Sequence, residues 1–190
     1  TWTVIDGSGN TATATQLVKV VDATLPTIIA PSNVSITLDN VASIATGVEL
    51  GSPITADNCS VVSITNNAPT TYPVGTTLIT WTVTDASGNK ATAMQTVTVS
   101  DFTGPTIITV PENLIINANN SCNVFNVNLG SIITNDNVSV VSVTNNAPSI
   151  YPIGTTTVIW TVKDDKGNVS NAVQLVTVLD NLAPSIVAPT

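Results

Sequence analysis

Histidine and arginine are absent from this 190-residue sequence, and its only basic residues are Lys19, Lys90, Lys163 and Lys166. These absences exclude several functions. A nucleic-acid surface needs clustered positive charge. Four scattered lysines against 12 acidic residues, a net charge of −8, cannot supply it. Without histidine there is no His-ligated zinc, no Ser-His-Asp triad and no histidine general base. Two cysteines, Cys59 and Cys122, are too few for a disulfide framework. Aromatic residues are only 4% of the chain. No run of about 18 apolar residues occurs, because threonine or asparagine interrupts every stretch, so no membrane span is expected in this segment. The chain starts at Thr1 without a basic stretch leading into an apolar one, and any secretion signal is expected outside it.

What the sequence does hold is a repeat, which governs the rest of its reading. Thr1-Trp-Thr-Val-Ile-Asp-Gly-Ser-Gly-Asn10 returns as Thr80-Trp-Thr-Val-Thr-Asp-Ala-Ser-Gly-Asn89 and as Ile159-Trp-Thr-Val-Lys-Asp-Asp-Lys-Gly-Asn168. Trp2, Trp81 and Trp160 stand at equal intervals, and Pro26, Pro105 and Pro184 keep the same stride, as do Asp22, Asp101 and Asp180. The expected organisation is the C-terminal part of one repeat (1–22), two complete repeats (23–101 and 102–180) and the first strand of another (181–190), a window cut from a longer array.

The apolar residues are mostly Val, Ile, Leu and Ala, diluted by Thr, and Val, Ile and Thr favour strands. In the first complete copy strands are expected near Thr27–Ala30, Val34–Leu38, Ile44–Leu50, Val61–Thr65, Thr77–Thr84 and Ala91–Val99. Ile79, Trp81 and Val83 alternate with threonines and should face one side. Asp85-Ala-Ser-Gly-Asn89 predicts a tight hairpin in which Gly88 takes a positive φ. Six or seven short strands in each copy predict an all-β chain of tandem immunoglobulin-like antiparallel β-sandwich domains arranged end to end. Trp2, Trp81 and Trp160 are the expected core anchors.

The motifs Asp57-Asn-Cys, Asn66-Asn-Ala-Pro, Tyr72-Pro-Val-Gly-Thr-Thr and Trp81-Thr-Val-Thr-Asp-Ala-Ser-Gly-Asn resemble the hyalin repeat (HYR) family. The resemblance implies immunoglobulin-like modules strung in tandem in extracellular adhesion proteins. These include large cell-surface adhesins of gliding Bacteroidota exported by type IX secretion. It implies adhesion or spacing, not catalysis. Many members pair a cysteine at the Asp-Asn-Cys position with one in an earlier strand. Here Cys59 holds that position but its copy is Val138, and Cys122 lies in the earlier region of the other copy. Each domain has half of a pair, so both cysteines are expected to be unpaired, buried thiols with no disulfide.

The aspartates repeat as well. In an immunoglobulin-like sandwich the loops carrying Asp57 and Asp85 lie where the chain enters the domain, near Asp22. Asp101, Asp136 and Asp164 repeat that set. Each group of three carboxylates is a candidate Ca²⁺ site at a junction, since Ca²⁺ takes six to eight oxygen ligands. A competing reading needs only turn capping by Asp57 and Asp85. No catalytic residue is expected, because paired catalytic carboxylates would be unique to one cleft and these merely repeat. The expected partners are neighbouring repeats of the same chain, a surface or glycan ligand and further copies of the stalk, laterally or end to end. Two alternatives to the stalk remain: a glycan- or protein-binding module, with Phe102 and Phe125 as its loop aromatics, and the spacer of a secreted enzyme. The sequons at Asn33, Asn58, Asn119, Asn137 and Asn168 read as chance in an Asn/Ser-rich chain.

Overall fold

The computed structural model describes residues 1–39, 41–118 and 121–187, so the sequon at Asn119 and the last residues of the expected strand 181–190 lie outside the described residues. The chain divides into two compact units. One comprises Thr1–Asn33, Leu50–Ala68 and Leu78–Thr96, the other Val34–Glu49, Pro69–Thr77 and Val97–Thr190. Every regular element among the described residues is a strand. A leading hairpin is formed by β1 (Trp2–Ile5) and β2 (Thr11–Ala14). The first copy holds β3 (Thr27–Ile29), β4 (Val34–Thr37), β5 (Ile44–Thr46), β6 (Ile54–Ala56), β7 (Val61–Asn66), β8 (Thr71–Pro73), β9 (Gly75–Asp85) and β10 (Lys90–Ser100). The second holds β11 (Thr106–Thr109), β12 (Leu114–Asn117), β13 (Asn123–Phe125), β14 (Ile133–Asn135), β15 (Val140–Asn145), β16 (Ile150–Pro152), β17 (Gly154–Asp164) and β18 (Val169–Leu179).

The second copy lies wholly within the second unit. Its main sheet runs β12-β18-β17-β15, and β11 pairs with β14 and β13 with β16. Strand alternation sends Val158, Trp160 and Val162 of β17 and Val176 and Val178 of β18 inward, where they are almost fully buried. Tyr151 of β16, Val124 of β13 and Leu129 cover them from the other layer. The result is an immunoglobulin-like sandwich. The first copy repeats the pairings, with the sheet order β4-β10-β9-β7 and the pairs β3–β6 and β5–β8. Ile79, Trp81 and Val83 are buried, as their alternation predicts.

One pairing in each main sheet is parallel. β12 runs alongside β18, with Leu114 opposite Val176, and β4 alongside β10, with Val34 opposite Val97. The second and last strands of each copy thus point the same way. In the second copy the chain enters beside the start of β18, where a methyl group on Gly104 would come within 2.9 Å of Ser170 Oγ. It leaves after Leu179, at the end of the same strand. β3 and β11 begin just after Pro26 and Pro105, both buried.

Three expectations need correction. Trp2 is not a core anchor here: it is 70% exposed, because β1 pairs only with β2 and no second layer covers it among the described residues. The strand expected over Ile44–Leu50 stops at Thr46, because Gly47 turns with φ +63°. Its copy, Asn126, does the same at φ +53°, asparagine being among the residues that tolerate that region. Residues 181–187 form no strand. The equivalent β3 and β11 exist through pairing with β6 and β14, and no such partner meets 181–187 among the described residues.

Candidate metal centre

Strand phase delivers Asp85 to the first group and both Asp101 and Asp164 to the second. On β9 the inward row Ile79, Trp81, Val83 ends on Asp85, which is 1% exposed, and on β17 the matching row ends on Asp164. On β10 the inward row Gln95, Val97, Val99 continues into Asp101, which is 4% exposed. A period of two thus carries a carboxylate onto the core face at the rim of the sheet. Asp57 and Asp136 come from the short loops before β7 and β15.

Within the first unit, one carboxylate oxygen from each of Asp22, Asp57 and Asp85 lies within 4.8 Å of the other two. Within the second unit, Asp101, Asp136 and Asp164 do the same. Hydrogen bonds aim the carboxylates. Asp57 Oδ2 accepts from the Cys59 and Ser60 N–H groups at 2.8 and 3.0 Å, and Asp136 Oδ2 from Val138 and Ser139 at 3.0 and 2.9 Å. Asp85 Oδ1 accepts from the Ser87 and Asn89 N–H groups, and Asn89 Nδ2 donates to Asp85 Oδ2 at 2.7 Å. Lys166 and Asn168 repeat this at Asp164. Asp101 Oδ1 accepts from the Thr103 hydroxyl at 2.6 Å and its N–H at 3.0 Å. The turn-capping reading is therefore correct for these oxygens. It leaves others unexplained: Asp22 Oδ2, Asp57 Oδ1, Asp101 Oδ2 and Asp136 Oδ1 are buried with no hydrogen-bond partner.

At Asp22 and Asp101 the surroundings favour the ionised carboxylate. The Thr24 N–H, with help from Asn58 and Cys59, holds Asp22 below the ordinary value of 3.8 despite partial desolvation. At Asp101, burial pushes the pKa up, but Thr103, Asn137 and the charge of Lys166 together outweigh it and the net shift is downward. Hard, charged oxygen donors at this separation suit a hard divalent cation.

The second triad also sits where repeat meets repeat. Asn137, next to Asp136, donates through Nδ2 to the carbonyls of Asp39 and Ala42, both at 3.1 Å, in the β4–β5 loop of the preceding copy. Asn168 Nδ2 reaches the Asp101 carbonyl at 3.3 Å. Sequence reasoning missed these asparagines and also a buried glutamine. Trp160 Nε1 donates to Gln174 Oε1 at 3.2 Å, while Gln174 Nε2 donates to the carbonyls of Glu112 and Leu129. Trp81 and Gln95 repeat this with Ser32 and Leu50. The available signal was the common stride of Gln16, Gln95 and Gln174. Cys59 and Cys122 are free, but they are exposed instead of buried, because both lie in surface turns and not on inward strand positions. A hydrogen bond to Asp22, then burial and the nearby aspartate charges, pushes the Cys59 thiol pKa up.

Solved structures with partial likeness to the chain are all-β cadherin repeats. Drosophila N-cadherin EC1-4 gives a TM-score of 0.41 at 11% identity, over 83% of this chain and 50% of that one. Human protocadherin-24 EC1-2 gives 0.39 at 12% identity, over 84% and 100%. In sequence the chain is 31% identical over 202 residues to hyalin of Strongylocentrotus purpuratus, covering all of this chain and 17% of that protein. It is 31% identical over 191 residues to hyalin of Lytechinus variegatus, covering 95% of this chain and 36% of that one. The chain thus spans well under half the length of either hyalin. No helix is long and apolar enough to cross a membrane among the described residues. Residues 21–99 match the HYR domain family.

Proposed function

We propose that this chain is a non-catalytic stalk segment of an extracellular adhesion protein, in which each repeat carries the chain a fixed distance outward. The observation behind the reading lies inside the second copy. The chain enters beside Val169 and Ser170, at the start of β18, and leaves beyond Leu179 at its end. An 11-residue strand is about 35 Å long. A module whose entry and exit lie at opposite ends adds length each time it is copied. The HYR match and the two hyalins support the extracellular, adhesive setting. The mechanical modules are residues 23–101 and 102–180, and 1–22 and 181–190 belong to flanking repeats. The specific setting we read from the motif resemblance is a bacterial surface, with export by type IX secretion and use in attachment or gliding. X-ray scattering from arrays of two, four and six repeats tests the stalk. The longest dimension should grow by about 35 Å per added repeat. A dimension that grows as the cube root of mass would mean a compact body and end the reading.

One observation favours a second reading, a ligand-binding module. Phe102 is 72% exposed beside a depression lined by Val74, Thr98, Asp101 and Lys166. A glycan array probed with the chain and with Phe102→Ala separates the two. Binding lost in the variant favours a module, and no binding by either favours the stalk.

A further inference from the structure

We propose that each aspartate triad is a Ca²⁺ site, and that the ion at Asp101, Asp136 and Asp164 latches one repeat to the next. The site stands on geometry alone, while its mechanical meaning rests on the stalk reading. Two oxygens on one Ca²⁺ lie at most about 5 Å apart, twice the Ca–O distance of roughly 2.3–2.6 Å. The three carboxylates meet that limit in both triads. The second line of evidence is desolvation. Asp101 is 4% exposed, yet its Oδ2 has no hydrogen-bond partner, and neither has Asp136 Oδ1. Burying an unpaired carboxylate oxygen is costly. The same two positions are orphaned in the other triad, at Asp22 Oδ2 and Asp57 Oδ1. A fault of packing would not recur one repeat apart on the same atoms.

Protein cations do not resolve the charge. Lys166 lowers the pKa of Asp101, but its Nζ pairs with Asp165 at 2.9 Å. The equivalent residue in the first copy is Ser87, so that triad is built without a lysine. A divalent cation satisfies both triads in one way. Ca²⁺ suits such a site better than Mg²⁺, because it takes six to eight oxygens in flexible geometry, whereas Mg²⁺ demands a near-ideal octahedron and keeps several of its waters. In the second unit Asp101 directly follows β10 of the first copy, while Asp136 and Asp164 belong to the second. Asn137, beside Asp136, already grips the β4–β5 loop. An ion held by all three carboxylates therefore ties the linker to the next repeat at its rim.

Isothermal titration of the metal-stripped chain with CaCl₂, with thermal melting in parallel, tests this. Two ions should bind, one per triad, at roughly 10⁻⁴–10⁻³ M as in other extracellular modules. Tm should rise, and MgCl₂ should raise it less. The double variant Asp101→Asn/Asp136→Asn should lose one of the two ions, and without calcium it should melt no lower than the parent, because it removes repulsion from a desolvated cluster. The variant Asp22→Asn/Asp57→Asn gives the same readout at the other triad, should the first fail to fold. No saturable heat and no rise in Tm at about 10 mM CaCl₂ overturns the site. So does unchanged stoichiometry in both double variants, or an equal response to Mg²⁺. Titration reads the site and scattering reads the stalk. Absent binding with a retained increment per repeat sinks only the metal, and binding without an increment sinks only the stalk.

Discussion

Gln95 and Gln174 are fully buried amides that fill three hydrogen-bonding roles each. Each accepts from the core tryptophan and donates to two loop carbonyls. Gln174→Leu keeps much of the volume but strands the indole N–H and the carbonyls of Glu112 and Leu129. It should cost at least about 2 kcal/mol in denaturant unfolding. Trp160→Phe frees only the glutamine oxygen and trims the core, but Trp160→Ala should cost about 3–5 kcal/mol. A Gln174→Leu variant as stable as the parent would mean that water satisfies those groups. At the surface, Asp39 is held below 3.8 by the N–H groups of Ala42 and Val41. Its folded pKa is lowered, so its contribution is complete above the unfolded value and disappears as pH falls through the folded one. Melting curves of the parent and Asp39→Ala should therefore separate above about pH 4 and converge below 3.8.

The long hairpin strands were legible because eleven residues give a period of two room to show itself. Ile79, Trp81 and Val83 read correctly for that reason. β6 and β8, three residues each, were not legible, since they are strands only through pairing with β3 and β5. Parallel pairing of β4 with β10 and of β12 with β18 was equally hidden, because alternation fixes faces and not direction. The hairpin turn was readable: Gly9, Gly88 and Gly167 have φ of +89°, +91° and +94°. Around Gly88 a Cβ would meet nothing within 4 Å. Gly88→Ala should thus cost about 1–2 kcal/mol through backbone strain alone. A thermal melt showing no loss would mean that the turn relaxes to another type.

Charge acts on the whole molecule. With a net charge of −8 and two triads of clustered carboxylates, the metal-free chain carries strong self-repulsion. Raising NaCl from about 10 to 200 mM shortens the screening length from roughly 30 Å to under 10 Å, and should raise Tm in the absence of divalent ions. If calcium fills the triads, the same salt step in its presence should have a smaller effect, as scanning calorimetry would record. Equal shifts with and without calcium would place the repulsion elsewhere on the surface.

The constant stride of the repeats, the inward rows of the long strands and the set of recurring acids were decided by the sequence, because each is a local pattern repeated along one chain. Which acids share a site was not. Asp6 and Asp180 recur as faithfully as Asp85 and Asp101, yet belong to neither triad. Three carboxylates from a linker, a loop and a strand end meet only because cross-strand register and the parallel pairing of β4 with β10 and of β12 with β18 bring those termini to one rim, and no one-dimensional pattern records that meeting.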